Sequence, residues 1–447
     1  MSGAGTPRGG LGRMMATTDE LHLERMRRSV SELYERNRQR GHAAWCDREY
    51  DFVCPSHVTY PFQWFWDSCF HAIVLSHLDV ARAESEIEGL LANQQPDGFI
   101  GHVTFWQREA FLDELATYAI AYRTPYLSDC IQPPLLAEAV AAVATRGRGV
   151  AYLREVLPAV RRYYDWLRDL RDPDRDGLIA VLQADETGLD HSPKFDAELG
   201  LSGDAEEDFT AAWHRVADEY AEVNRDPAGM FALDRFNVED VMVNTIYAEN
   251  LRVLGELLGQ AGDPDGAEDF AARARRTTAA LVAKCWDSTA GLFWDLAGHA
   301  ERPLRTSTVT SLFPLLLADL DESIAARLAA QLEDPTAYGS PWPVPSVAMA
   351  EPSFMPGLAG ADLVWRGATW VNTNWYLCRG LRRHGRPELA RRIEDSTVEL
   401  IERHGFREYY DTLTGEGHGA PDFGWSALIL DLLEARTREE SGHGTRR

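Results

Sequence analysis

The sequence is poor in several features that would narrow its function at once. Its six cysteines stand at 46, 54, 69, 130, 285 and 378, with no C-x-x-C pair and no histidine at ligand spacing. That argues against a disulfide framework or a thiolate zinc site and suits a reducing, cytoplasmic compartment. Bases are scarce beside acids: 45 Lys and Arg against 70 Asp and Glu leave a formal net charge of −25. Nucleic acid and anionic membranes are therefore poor partners, because phosphate binding needs a basic footprint. No window approaches the roughly 20 apolar residues of a membrane span. The opening MSGAGTPRGGLGRMMATTDE lacks an apolar core of signal-peptide length. Residues 1–18 are expected to be a disordered leader, with Met14 or Met15 as alternative starts, and 438–447 a disordered tail.

Helical periodicity is what the chain has in quantity. Between 236 and 258, Val243, Ile246, Tyr247, Asn250, Leu251, Leu254 and Leu258 recur at steps of three and four. Similar stripes run through about 21–38, 68–93, 108–123, 134–146, 158–170, 265–284, 308–332, 367–384, 387–404 and 424–435. Helices run into Gly98, Gly177, Gly291 and Gly405, where a left-handed C-cap residue is wanted. The unequal intervals suit helical hairpins separated by insertions better than a tight solenoid repeat. The expected fold is all-α, an (α/α)6 toroid with its pocket at one end of the ring; a looser bundle is the alternative. One domain, 19–437, is expected, with an insertion at about 196–232 forming a lid or rim.

Three stretches are dense in aromatics. YPFQWFWDSCFH (60–71) holds Tyr60, Gln63, Trp64, Trp66 and Asp67; WRGATWVNTNWYL (365–377) holds Trp365, Arg366 and Trp370; REYYDTLTGEGHGAPDFGWSAL (407–428) holds Glu408, Asp411, Glu416 and Trp425. All three stand at expected helix starts. Core packing accounts for any one of them. Together, aromatic faces interleaved with carboxylates and amides are what a sugar site requires, since rings stack on pyranose C–H faces and hydroxyls want polar partners. Cleaving an acetal needs two carboxyl groups, one protonated and one ionised. QADETGLDHSPKFD (183–196) offers Asp185, Glu186, Asp190 and Asp196; the last stretch offers Glu408, Asp411 and Glu416. Composition does not choose among them.

These stretches, with IQPPLLAEA (131–139), run in an order that resembles the inverting glycosidases of the α/α toroid clan. That clan includes the family 63 glycoside hydrolases, the trehalases and, more remotely, the glucoamylases; the nearest likeness is to bacterial family 63 enzymes acting on mannosylglycerate and glucosylglycerate. The resemblance spans residues 60 to about 430. It implies hydrolysis of a small α-glucoside or α-mannoside with inversion and without an organic cofactor. ETGLD is similar to the segment whose last Asp is the general acid, which nominates Asp190. REYYD resembles the segment of the general base, which nominates Glu408, with Glu416 as the competing base or a water-placing residue. Asp67 resembles the carboxylate gripping the −1 sugar, Gln132, Trp365, Arg366 and Trp370 the walls of that subsite, and Tyr60, Gln63 and Trp64 its rim. Trp66 and Trp425 are further candidates for the sugar site, Gly188 is expected to turn the chain, and Glu186 to position Asp190 or the sugar. Asp185 and Asp196 read as solvated charge. Inversion implies roughly 6.5–9.5 Å between the two carboxyl groups. Val364 and Ala368 depart from the family's usual aromatic and polar residues, which bears on the aglycone.

DPDRDG (172–177) matches half of a calcium loop, with Asp172, Asp174 and Asp176, but Gln183 stands where a bidentate Glu is needed. A polar helix-end turn and a structural calcium are the two readings. A sugar epimerase needs paired histidines; the aromatic stretches supply His71 and His418 but no obvious pair. A non-catalytic sugar-binding toroid is the third functional class. A small carbohydrate is the expected partner, and homo-oligomerisation is left open.

Overall fold

The computed structural model describes residues 18–107, 109, 122–124, 126–201, 206–357 and 363–444. The stripe expected over 108–123 lies almost wholly outside them. The chain is mostly helical: α1 Thr18–Arg36, α2 Phe65–Leu75, α3 Val80–Ala92, α4 Leu136–Arg146, α5 Val150–Arg171, α6 Glu206–Glu222, α7 Pro227–Leu233, α8 Val241–Ala261, α9 Pro264–Ala280, α10 Glu322–Gln331, α11 Val371–Arg383, α12 Pro387–His404 and α13 Ile429–Gly444. Aspartates cap many of them. Asp79, Asp226, Asp240, Asp263 and Asp321 each accept a backbone N–H of the first turn, so part of the acidic excess terminates helices.

The helices sort by the width of their apolar face. Every residue of α2 is buried, and most of α8 is, as befits elements surrounded on all sides. These inner elements form a circuit: α2 packs on α4, α4 on α8, α8 on the 3₁₀ segment Val309–Leu316, that on α11, and α11 on Gly424–Leu428 and α13, which return to α2. The amphipathic helices lie outside: α3 on α2, α5 on α4 and α8, α9 on α8, α10 on Val309–Leu316, α12 on α11 and α13, α1 on α13.

Strands are short and antiparallel. Four pair as Gln63–Trp64, Val103–Thr104, Leu127–Ser128 and Tyr122–Thr124, and Arg407–Tyr410 forms a hairpin with Gly417–Pro421. The third aromatic stretch is thus a hairpin followed by a 3₁₀ turn, not a helix start. Gly98, Gly177, Gly291 and Gly405 all have positive φ, but of the four only Gly405 caps a helix; the others turn loops or hairpins. The expected tail is helical as far as Gly444, with Glu439 paired to Arg382 and Glu440 to Arg391 and Arg436. Five cysteines are buried and Cys46 is exposed; none is disulfide-bonded. Among the described residues no helix is long and apolar enough to cross a membrane.

Candidate active site

Loops and helix starts enclose a cavity of about 550 Å³. Ten of the expected site residues line it: Tyr60, Trp64, Trp66, Asp67, Gln132, Gly188, Asp190, Trp365, Glu408 and Trp425. Chain positions 190 and 408, far apart in sequence, thus share one space because the circuit closes.

Glu408 sits on the hairpin. The Ala420 N–H donates to its Oε2 at 2.8 Å and the Trp425 indole donates to its backbone carbonyl at 3.2 Å. Burial pushes the Glu408 carboxyl up to about 7; the Ala420 N–H opposes this, the charge of Asp190 adds to it, and the Tyr60 hydroxyl opposes it. A base with that affinity is ionised and still basic near neutrality. Asp67 is held well above the usual carboxylate range by burial, with Glu408 and Glu86 adding repulsion. Its Oδ1 is enclosed and has no hydrogen-bond partner among the described residues.

Asp190 follows a 3₁₀ turn, Ala184–Thr187, closed by Gly188 in the left-handed region at φ +68. A side chain there would also place Cβ 2.5 Å from the Trp66 ring, so both conformation and contact require glycine. Glu186 anchors this turn from behind. Its carboxylate accepts from Arg171 at 2.6 Å on both oxygens and from the N–H groups of Ile131 and Leu182. Both members of the pair are fully buried, and Glu186 is outside the cavity. Lys194, also buried, ties the same segment to Asp240 and to Asp295.

Four more candidates stand behind the wall or away from it. Gln63 is buried, with Oε1 accepting from the Trp106 indole at 2.7 Å. Trp370 backs Trp365, the rings stacked with centroids 3.5 Å apart. Arg366 points the other way, to a bidentate pair with Asp196; Asp196 is therefore an ion-pair partner and not free solvated charge. Glu416 is exposed on the hairpin turn and does not reach the cavity. Asp185 corrects the opposite way: it lines the cavity, half-buried, with Oδ2 enclosed and unpartnered, and burial together with Asp190 raises its carboxyl well above the usual range.

The walls also include residues not expected as site residues. Pro55 and Phe423 add apolar surface; Phe209, Thr210 and Trp213 come from α6, inside the insertion. Two aromatics one turn apart in an otherwise charged insertion were the available signal. His102, which burial lowers to about 4, and His191 line the cavity, whereas His71 is buried against the Val53 carbonyl and His418 stacks on Tyr409. The Val364 N–H donates to His191 Nδ1 at 3.2 Å, which leaves the imidazole proton on Nε2, 3.7 Å from Asp190.

Away from the cavity, the carboxylates that converge are Asp174, Asp176, Glu239 and Glu301, without Asp172. The Lys284 ammonium already bonds Asp176 and Glu301 there, so the cluster carries its own cation.

A family model described as the mannosylglycerate hydrolase MGH1-like glycoside hydrolase domain matches residues 60–426. The mannosylglycerate hydrolase of Thermus thermophilus is 32% identical over 412 residues, 85% of this chain and 95% of its own length. The glucosylglycerate hydrolase of Mycolicibacterium hassiacum is 28% identical, covering 84% and 92%. The crystal structure of the family 63 mannosylglycerate hydrolase from Thermus thermophilus in complex with glucose superposes with a TM-score of 0.78 at 28% identity, over 92% of this chain and all of that one. A neutral trehalase from Saccharomyces cerevisiae shares the fold, with a TM-score of 0.59 at 15% identity. The chain is a glycosidase and belongs to the family of mannosylglycerate hydrolase MGH1-like glycoside hydrolases.

Proposed function

We propose that the protein hydrolyses a small α-mannoside or α-glucoside of glycerate with inversion, Asp190 acting as general acid and Glu408 as general base. One observation carries this reading: the two carboxyl groups line a single cavity whose walls also hold five indole rings and the buried carboxyl of Asp67. Asp190 gives its proton to the glycosidic oxygen as the C–O bond breaks, and the leaving alcohol departs neutral. Water attacks the anomeric carbon from the opposite face while Glu408 takes its proton, so the product sugar carries inverted configuration. Asp67 grips hydroxyls of the −1 sugar, and Trp66, Trp365 and Trp425 supply apolar faces to it. Water is the nucleophile, so the step calls for no organic cofactor.

The finer architecture belongs to the same proposal. The closed circuit of inner elements is read as an (α/α)6 toroid, and α6 as a lid whose Phe209 and Trp213 cover the pocket. A cytoplasmic location fits the five buried, unpaired cysteines. The test is to incubate purified protein with mannosylglycerate, glucosylglycerate, trehalose and kojibiose and follow the released sugar by proton NMR. Release of the β-anomer first, from a glycerate glycoside, is expected. Initial release of the α-anomer overturns the assignment of roles to Asp190 and Glu408.

A further inference from the structure

The chain turns sharply at the proposed acid. The Ser192 N–H donates to the Leu189 carbonyl at 3.0 Å, so Asp190 and His191 are the two central residues of one turn. On a strand, adjacent side chains would point to opposite faces. Here both line the cavity. Among the described residues the one ion-pair contact of the Asp190 carboxyl is with His191 Nε2, at 3.7 Å.

The imidazole is fixed from two sides. On one, the Val364 N–H donates to Nδ1 at 3.2 Å. A backbone N–H only donates, so Nδ1 keeps its lone pair and the ring proton stays on Nε2. On the other, the Phe209 ring of α6 meets the imidazole edge-on, with centroids 4.3 Å apart. A second proton on Nδ1 would break the Val364 contact, so the ring is held as a neutral donor. A full positive charge beside Asp190 would draw off its proton before the substrate arrived; a neutral N–H does not.

The rest of the cavity offers the acid little help. Among the described residues lining it there is no lysine or arginine, and its other ionisable groups are Tyr60, Asp67, His102, Asp185 and Glu408. Asp190 and the carboxyls of Asp185 and Glu408 repel one another, so the anion that Asp190 becomes on giving up its proton needs a donor.

We infer that His191 is the positioning residue of the general acid. Its Nε2–H closes on Asp190 Oδ2 as the substrate is seated, the tightening that catalytic hydrogen bonds undergo in the Michaelis complex. The proton to be transferred then sits on Oδ1, and the carboxylate left behind meets a donor already in place. Oδ1 gives its proton to the glycosidic oxygen, that oxygen takes the electron pair of the breaking C–O bond, and His191 keeps its own proton throughout. This rests on the acid role proposed above for Asp190.

The test separates a step that needs an acid from one that does not. Glycosyl fluorides lose fluoride with little help from an acid, whereas glycosides need a proton on the leaving oxygen. For each variant kcat and KM are measured on α-mannosyl and α-glucosyl fluoride and on mannosylglycerate, glucosylglycerate, kojibiose and trehalose. His191→Phe keeps a ring against Phe209 and removes the donor; His191→Gln restores an N–H at similar reach. His191→Phe is expected to lower kcat on the glycoside about tenfold relative to the fluoride with KM within about twofold, the loss of one hydrogen bond to a carboxylate. His191→Gln is expected to recover most of that loss. Asp190→Asn is the control for the acid itself. A collapsed glycoside-to-fluoride ratio in Asp190→Asn with an unchanged ratio in His191→Phe, equal losses on both substrates in His191→Phe, or no recovery in His191→Gln overturns the positioning role and leaves the acid standing. An unchanged ratio in Asp190→Asn, or a wild type inactive on every substrate, overturns the acid reading and the role of His191 with it.

Discussion

Replacing Glu408 by Gln separates catalysis from stability, because the carboxyl is unfavourable to the fold once ionised. Its affinity for a proton rises from the usual 4.5 to about 7 on folding, chiefly through burial. A raised carboxyl contributes stability that is fully present below pH 4.5 and is lost as the pH climbs through 7. A rise from 4.5 to about 7 corresponds to about 3 kcal/mol at most. Glutamine keeps an oxygen for the Ala420 N–H and never ionises, so it escapes this loss. At about 2.1 cal/mol/K per residue over 447 residues, about 3 kcal/mol is a change of roughly 3 °C in the thermal midpoint.

The expected result is therefore a difference of differences. The midpoint of Glu408→Gln minus that of the wild type, taken at one scan rate, is about 3 °C more positive at pH 8 than at pH 4.5. Over the same range the wild-type kcat/KM falls below about pH 7 as the base is protonated, and the variant loses about 10²–10⁴-fold in turnover. A midpoint difference that is the same at both pH values, or larger at pH 4.5, refutes the claim that burial holds this carboxyl up. A variant retaining near-full turnover removes Glu408 from the mechanism.

Three further outcomes follow from the geometry. Gly188→Ala forces Cβ against the Trp66 ring in a left-handed conformation; it is expected to lower stability by about 1–3 kcal/mol in urea titrations and to raise KM by displacing Trp66. Glu416→Gln, exposed and away from the cavity, is expected to stay within about twofold of wild-type kcat/KM, and a loss comparable to that of Glu408→Gln exchanges the two assignments. Arg171→Met leaves the Glu186 carboxylate buried without its cation, at a cost of about 3–5 kcal/mol; because that anchor holds the turn bearing Asp190, kcat is expected to fall more than KM rises.

Much of the architecture was legible because helical periodicity reports which face is buried, and inner helices such as α8 show it along their whole length. The motifs likewise pointed to stretches that meet at one cavity. What the motifs left open was which of two neighbours faces the ligand. In the strand Gln63–Trp64, successive side chains take opposite sides, so Trp64 enters the cavity while Gln63 turns back to Trp106. In the turn Ala184–Thr187, Asp185 faces the cavity and Glu186 faces Arg171. At 365–366, Trp365 is in the cavity, with φ +64, and Arg366 is swung onto Asp196.

Each case has the same physical cause. A buried ionic or amide side chain goes to the partner that satisfies it, and that partner comes from a remote element: Arg171 at the end of α5, Trp106 in a neighbouring loop, Asp196 after the acid's turn. Its location depends on the closed circuit, which no local pattern encodes. The cavity is faced by the chain neighbours of such residues instead, Trp64, Asp185 and Trp365. Asp185 and Trp365, which line the cavity, are therefore stronger candidates for ligand contact than Arg366 or Glu186, which are satisfied elsewhere inside a recognisable motif. The second kind acts on the chemistry only by holding the first kind still, which is why loss of Arg171 is expected to register in kcat.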